Sequence, residues 1–139
     1  MRREAAWALH NLGAQSPDVS AAFRVALQDT HWEVRTEAAR GLGRIDDEAS
    51  VTSLIEALED TSYSVRTAAE HALANLGALA VPGLLQAAGG PDSTRRESAI
   101  GSLVEILSTD YLTDLEGLLD SPPEERAARV QALSRRLGC

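Results

Sequence analysis

The chain has 139 residues, of which 44% are hydrophobic but only 4% aromatic, and its net charge is −8. Alanine and leucine dominate, which favours helices because both lose little side-chain entropy there. The acidic charge disfavours nucleic acid and anionic membrane surfaces as partners, and no apolar run is long enough to span a bilayer. With a single cysteine, an internal disulfide is excluded, so we expect a cytoplasmic protein. All the basic residues are arginine, which indicates a GC-rich, bacterial genome.

A pattern of small and apolar residues recurs along the chain. It reads MRREAAWALHNLG at 1–13, VRTEAARGLGRID at 34–46 and VRTAAEHALANLG at 65–77, with further copies around residues 95–106 and after residue 126. In each of the first four copies an arginine is followed at offsets of three, seven and ten by small or apolar residues. This spacing places them on one face of an α-helix. We call these segments the B helices.

Second amphipathic segments, the A helices, lie between the B helices at 16–29, 46–60, 80–90 and 109–120. One A–B hairpin is too small to bury both of its apolar faces, so neighbouring hairpins must stack. The sequence therefore predicts one domain, 1–139, that folds as an all-α, right-handed superhelix (a solenoid). It would contain about four and a half helical hairpins, with copies near 1–15, 16–46, 47–77, 78–108 and 109–139.

These segments resemble short HEAT repeats of the type found in phycobilisome lyase subunits. The HEAT pattern includes an aspartate six residues before the arginine, and Gly90 replaces it before Arg96. The resemblance implies that such pairs form a ladder of hydrogen bonds and ion pairs along the solenoid. We expect each arginine to use the aspartate of its own copy as a fork-shaped acceptor. The pairs are Asp29 with Arg35, Asp60 with Arg66, and Asp120 with Arg126.

The polar stretch DTHWEVR at 29–35 has the composition of a chemical site, but the repeat explains most of it. Asp29 and Arg35 belong to the ladder, and Thr30 and Glu33 have the spacing of a capping box for the B helix. Trp32 occupies the same repeat position as Tyr63, and we expect these two aromatic residues to pack turn against turn.

Catalytic groups are not arranged as an enzyme would need them. The three histidines occupy different repeat offsets and therefore different faces; they are His10, His31 and His71. Deoxyhypusine hydroxylases, which this chain also resembles, hold iron with His-Glu pairs, but Arg3-Glu4 and Arg96-Glu97 stand there. The acidic charge and the few aromatic residues disfavour HEAT-like DNA glycosylases. We expect no enzymatic activity, no cofactor and no metal.

A partner protein is expected on the surface formed by successive B helices, through which solenoids usually bind. Two offsets from the arginine of each copy, five and nine, point to that surface. They select Trp7, Arg40 and His71, and Asn11, Arg44 and Asn75. Tryptophan and arginine are typical of binding hot spots, although the same row also fits a solvated face.

Two other functions remain open from the sequence. The resemblance to lyase subunits implies a lyase-type or non-catalytic subunit of an enzyme complex, similar to a bilin lyase. The first B helix has no A helix before it, which leaves a face with Ala5, Leu9 and Leu12 uncovered. That end is expected either to self-associate or to continue a longer solenoid.

Overall fold

A computed structural model of the protein describes residues 17–107 and 109–138. These residues form helices that alternate as the predicted A and B segments, and no strand occurs among them. Short 3-10 turns, Gly77–Ala80 and Thr109–Tyr111, precede the third and fourth A helices. The helices are α1 (Pro17–Ala26), α2 (Trp32–Leu42), α3 (Glu48–Ala57), α4 (Tyr63–Leu76), α5 (Val81–Ala88), α6 (Ser93–Ile106), α7 (Leu112–Asp120) and α8 (Pro123–Leu137). The all-α solenoid is confirmed; the predicted B helix at 1–13 lies outside the described residues.

The helices stack in two layers around one apolar core. The B helices α2, α4 and α6 pack side by side, and the A helices α1, α3 and α5 line up behind them. Leucines from both layers are fully buried, and alanines on the B helices allow close approach. Core residues include Phe23, Leu42, Leu54, Leu73, Leu84 and Leu103.

Aspartates define several helix starts. The Asp47 carboxylate accepts from the backbone N–H of Ala49 at 3.0 Å and caps α3, and Asp92 accepts from the backbone N–H of Arg95 at 2.8 Å and caps α6. The capping box predicted for Thr30 and Glu33 is wrong. Helix α2 begins at Trp32, so Thr30 lies one residue too early to cap it.

A buried polar network joins the first two A helices of the described stack. The Ser20 hydroxyl donates to Asp47 Oδ2 at 2.5 Å, and Arg24 Nη1 donates to the same oxygen at 2.9 Å. The Ser20 hydrogen bond lowers the pKa of Asp47, although burial opposes that shift. Ser50 lies 3.1 Å from the Ser20 hydroxyl, so the network also satisfies polar groups that the stacking buries.

The last hairpin departs from the repeat. Helix α8, expected to be the fifth B helix, packs chiefly against the A helix α5 and against α7, while α7 packs against α6. A Cβ atom at Gly89 would lie only 2.8 Å from Val130 Cγ2, which shows how closely α8 approaches the end of α5. Only residues 121–122 connect α7 to α8, whereas five residues connect the A and B helices at 27–31 and 58–62. The shorter connection gives this hairpin a different orientation.

Candidate functional site

The arginine ladder connects neighbouring repeats. Arg35 Nε donates to Asp60 Oδ2 at 2.9 Å, and Arg35 Nη2 donates to Asp60 Oδ1 at 3.1 Å. The third bond runs from Arg35 Nη1 to the backbone carbonyl of Asp29 at 2.7 Å. The predicted carboxylate pair of Asp29 with Arg35 is therefore wrong: the aspartate of the same copy contributes its carbonyl, and the next copy contributes the carboxylate.

Backbone geometry explains this division of roles. The carboxylate of Asp29 accepts from the N–H of His31 at 2.9 Å, and that of Asp60 accepts from the N–H of Ser62 at 2.9 Å. Each carboxylate is thus turned towards its own helix start, and the Asp60 carboxylate also accepts from Arg35 of the preceding repeat. The carbonyl remains directed at the arginine of the same copy.

Among the described residues, the carbonyl contact recurs along the stack, whereas a ladder arginine bonds a carboxylate only where Arg35 meets Asp60. Arg66 Nη1 donates to the carbonyl of Asp60 at 2.7 Å, which replaces the predicted carboxylate pair, and Arg96 Nη1 donates to that of Gly90 at 2.8 Å. Because Gly90 has no carboxylate, Arg66 has no acidic partner among the described residues, and its guanidinium lies 5.8 Å from the Tyr63 ring centre.

The pair predicted between Asp120 and Arg126 is also wrong. Arg126 Nη1 donates to the Gly90 carbonyl at 2.8 Å, the same oxygen that Arg96 uses, and Asp120 is exposed. The reorientation of α8 causes this, since it brings Arg126 to the end of α5. Two guanidinium groups therefore share one carbonyl, and the Nε atoms of both are buried without a hydrogen-bond partner among the described residues.

We expect Arg126→Met to raise the free energy of unfolding by about 1 kcal/mol, since it removes a buried charge that has no counter-charge within the part of the chain that the structure describes. The side chain of Arg126 is only 6% exposed, and methionine retains most of its apolar contacts. Urea denaturation followed by circular dichroism measures the change. A loss of stability greater than about 1 kcal/mol would contradict this account of Arg126.

The structure brings two of the predicted partner-binding residues together. Arg40 on α2 and His71 on α4 are both exposed, and they line one groove of about 380 Å³. We call it the B-helix groove. Its other lining residues are Tyr63, Ser64, Thr67 and Ala68. Arg44, in the turn after α2, and Asn75, farther along α4, are exposed without lining the groove, and Trp7 and Asn11 lie outside the described residues.

Tyr63 is the aromatic residue of the groove, and sequence reasoning did not assign it to the binding surface. We expected it to pack against Trp32, but Tyr63 is 75% exposed and Trp32 is 49% exposed, so neither ring is buried at its turn. The sequence did contain a signal. Tyr63, Thr67 and His71 follow one another at intervals of four, which places all three on one stripe of α4.

The groove combines an aromatic ring, a guanidinium and an imidazole around a small apolar floor at Ala68. Arg40 Nη1 donates to Glu37 Oε1 at 2.6 Å beside the groove. Such a set can stack, donate and accept hydrogen bonds. Among residues 17–107 and 109–138, no three acidic, histidine or cysteine side chains are close enough to hold a metal ion, and none of the helices there could span a membrane.

A comparison with known protein families gave a match, and the matched segment includes residues from both helices that line the B-helix groove. A family model described as HEAT repeats matches residues 1–74, slightly more than half of the chain. That segment includes α1, α2, α3 and most of α4. A search of curated proteins found no match.

Proposed function

The chain belongs to the HEAT-repeat family, and from this premise we propose that it is a non-catalytic scaffold that binds another protein through its B helices. HEAT repeats commonly mediate protein–protein interactions, which supports the general role. The B-helix groove carries the specific proposal, since it places Arg40, Tyr63 and His71 on adjacent repeats.

The chemistry of the groove suits a protein partner. Tyrosine and arginine are the residues most often responsible for binding energy at protein interfaces, since each combines apolar area with strong directional hydrogen bonds. The ring of Tyr63 is already exposed, so a partner can cover it without any rearrangement of the helix. Arg40 would contribute its guanidinium from the neighbouring helix.

We expect the double change Arg40→Ala/Tyr63→Ala to abolish most partner binding, with a loss of at least about 2 kcal/mol for two hot-spot side chains. The measurement is capture of partners from a lysate of the source organism, followed by mass spectrometry and titration of each captured protein. Both side chains are exposed, so the fold should be unaffected.

The matched control is Gln131→Ala/Arg135→Ala, which removes two exposed polar side chains from α8. It should capture the same partner as the unchanged chain. If both double variants lose the partner equally, or if neither does, the B-helix groove is not the binding site.

A further inference from the structure

A second groove lies in the A-helix layer, between α3 and α5. It encloses about 490 Å³, and apolar side chains from both helices form its floor. A neighbouring depression of about 370 Å³ adjoins it and shares Glu56, Glu59 and Arg95 with it. Together they form what we call the A-helix groove. Its apolar floor comprises Val51, Ile55, Gly83 and Ala87.

Acidic side chains surround this floor. Glu56, Glu59 and Asp92 line the groove and are all exposed, whereas Arg95 is the one cation among the residues that line its larger part. The backbone hydrogen bond from Arg95 lowers the pKa of Asp92, so this carboxylate is ionised at neutral pH. The groove therefore combines an apolar floor with a negatively charged rim.

The chain itself shows how the rim holds a cation. Arg95 Nη2 donates to Glu59 Oε2 at 2.6 Å, and about one third of each side chain remains exposed. The Nε atom of Arg95 is buried without a hydrogen-bond partner among the described residues. A guanidinium thus already sits in the groove, but it uses only part of its donors and leaves Glu56 without an ion pair among the described residues.

We propose that the A-helix groove binds an arginine-bearing amphipathic segment of a partner protein. The segment would place a guanidinium between Glu56 and Glu59 and its apolar side chains over the floor at Val51 and Ile55. Arginine suits this position because its planar fork can bond two carboxylates and its stem can cover apolar surface. This surface is separate from the B-helix groove and does not depend on the function proposed for it.

Arg95 has a defined role in this proposal. Its guanidinium is hydrogen-bonded to the Glu59 carboxylate and therefore competes with the arginine of the incoming segment. The Arg95 guanidinium must leave this carboxylate when the segment binds. The ion pair is partly exposed and therefore weak, so displacing it costs little. The proposal predicts that removing Arg95 strengthens binding, an effect opposite to that of removing the acidic residues.

Fluorescence anisotropy with a labelled peptide tests the proposal. The probe is a short amphipathic peptide of arginine, leucine and alanine, and a twin in which glutamine replaces every arginine serves as the uncharged probe. We expect Glu56→Gln/Glu59→Gln to weaken binding of the arginine peptide about tenfold, and Arg95→Gln to strengthen it several-fold. The glutamine peptide should bind poorly to all variants.

The control variant Glu105→Gln/Glu116→Gln changes the net charge by the same amount through two exposed carboxylates on α6 and α7. It should bind the arginine peptide within about twofold of the unchanged chain, as should Arg40→Ala/Tyr63→Ala. Equal weakening by both glutamine double variants would show attraction to overall charge and overturn the proposal. Unchanged or weaker binding to Arg95→Gln would overturn it as well.

Discussion

Asp60→Ala should lower the free energy of unfolding by about 3–5 kcal/mol, because it strands a nearly buried arginine. The carboxylate receives two hydrogen bonds from Arg35 and a third from the N–H of Ser62. Both side chains of the ion pair are only 14% exposed, so water cannot replace the lost contact fully. Urea denaturation, monitored by circular dichroism, measures the difference.

Asp120→Ala is the matched control, since Asp120 occupies the same position relative to its arginine as Asp60 does. It is exposed and makes no ion pair among the described residues, so its replacement should change stability by less than about 0.5 kcal/mol. Asp60→Asn, which can still accept from Ser62, should be less damaging than Asp60→Ala. Equal effects of the two alanine changes would show that the bond between repeats is not what stabilises this position.

Gly43→Ala should destabilise the protein by about 1–3 kcal/mol, since it forces two B helices apart. A Cβ atom at Gly43 would lie 2.7 Å from Cα and 2.8 Å from Cβ of Ala72 on α4. These atoms belong to the backbone and its first side-chain carbon, so no rotamer change can move them away. The expected result is a lower midpoint of thermal unfolding.

Gly101→Ala provides the comparison within the same class of substitution. Gly101 lies inside α6, and a Cβ atom there would meet no described atom within 4 Å. The alanine should therefore stabilise the protein by about 0.5–1 kcal/mol through a lower entropy cost of helix formation. Both variants replace glycine by alanine, so the helix-forming preference changes in the same way in each. Stability changes of opposite sign would therefore show that the contact between α2 and α4 causes the loss at Gly43. Stabilisation by Gly43→Ala would contradict the close approach of α2 and α4.

The residues predicted to bind a partner show what the repeat pattern can and cannot predict. It placed Arg40 and His71 on a common surface, and the structure gives them one groove. It assigned Tyr63 to packing, because burial of a residue at the edge of a helix depends on what the adjacent turn brings near it. The turn before α4 leaves the ring in solvent, so Tyr63 belongs to the candidate site.

The ladder shows the same division more sharply. The resemblance to HEAT repeats implied that Asp60 and Arg35 are ladder residues, but it assigned them to different pairs. An arginine side chain is long enough to reach both the preceding turn of its own hairpin and that of the next hairpin. The spacing of residues along the sequence cannot tell which of these two turns supplies the carboxylate, because the distance between stacked hairpins depends on how the helices pack.

The sequence by itself determined the alternation of A and B helices and the apolar face of each, because helical periodicity is a local property that the order of residues records. Only the tertiary structure decided which turn meets which arginine, which aromatic ring stays exposed and where α8 lies. Those outcomes depend on contacts between hairpins about 30 residues apart. These contacts depend on steric fit between hairpins and, for the last hairpin, on the two-residue connection at 121–122. That connection turns the hairpin so that Arg126 lies beside Arg96 at the carbonyl of Gly90.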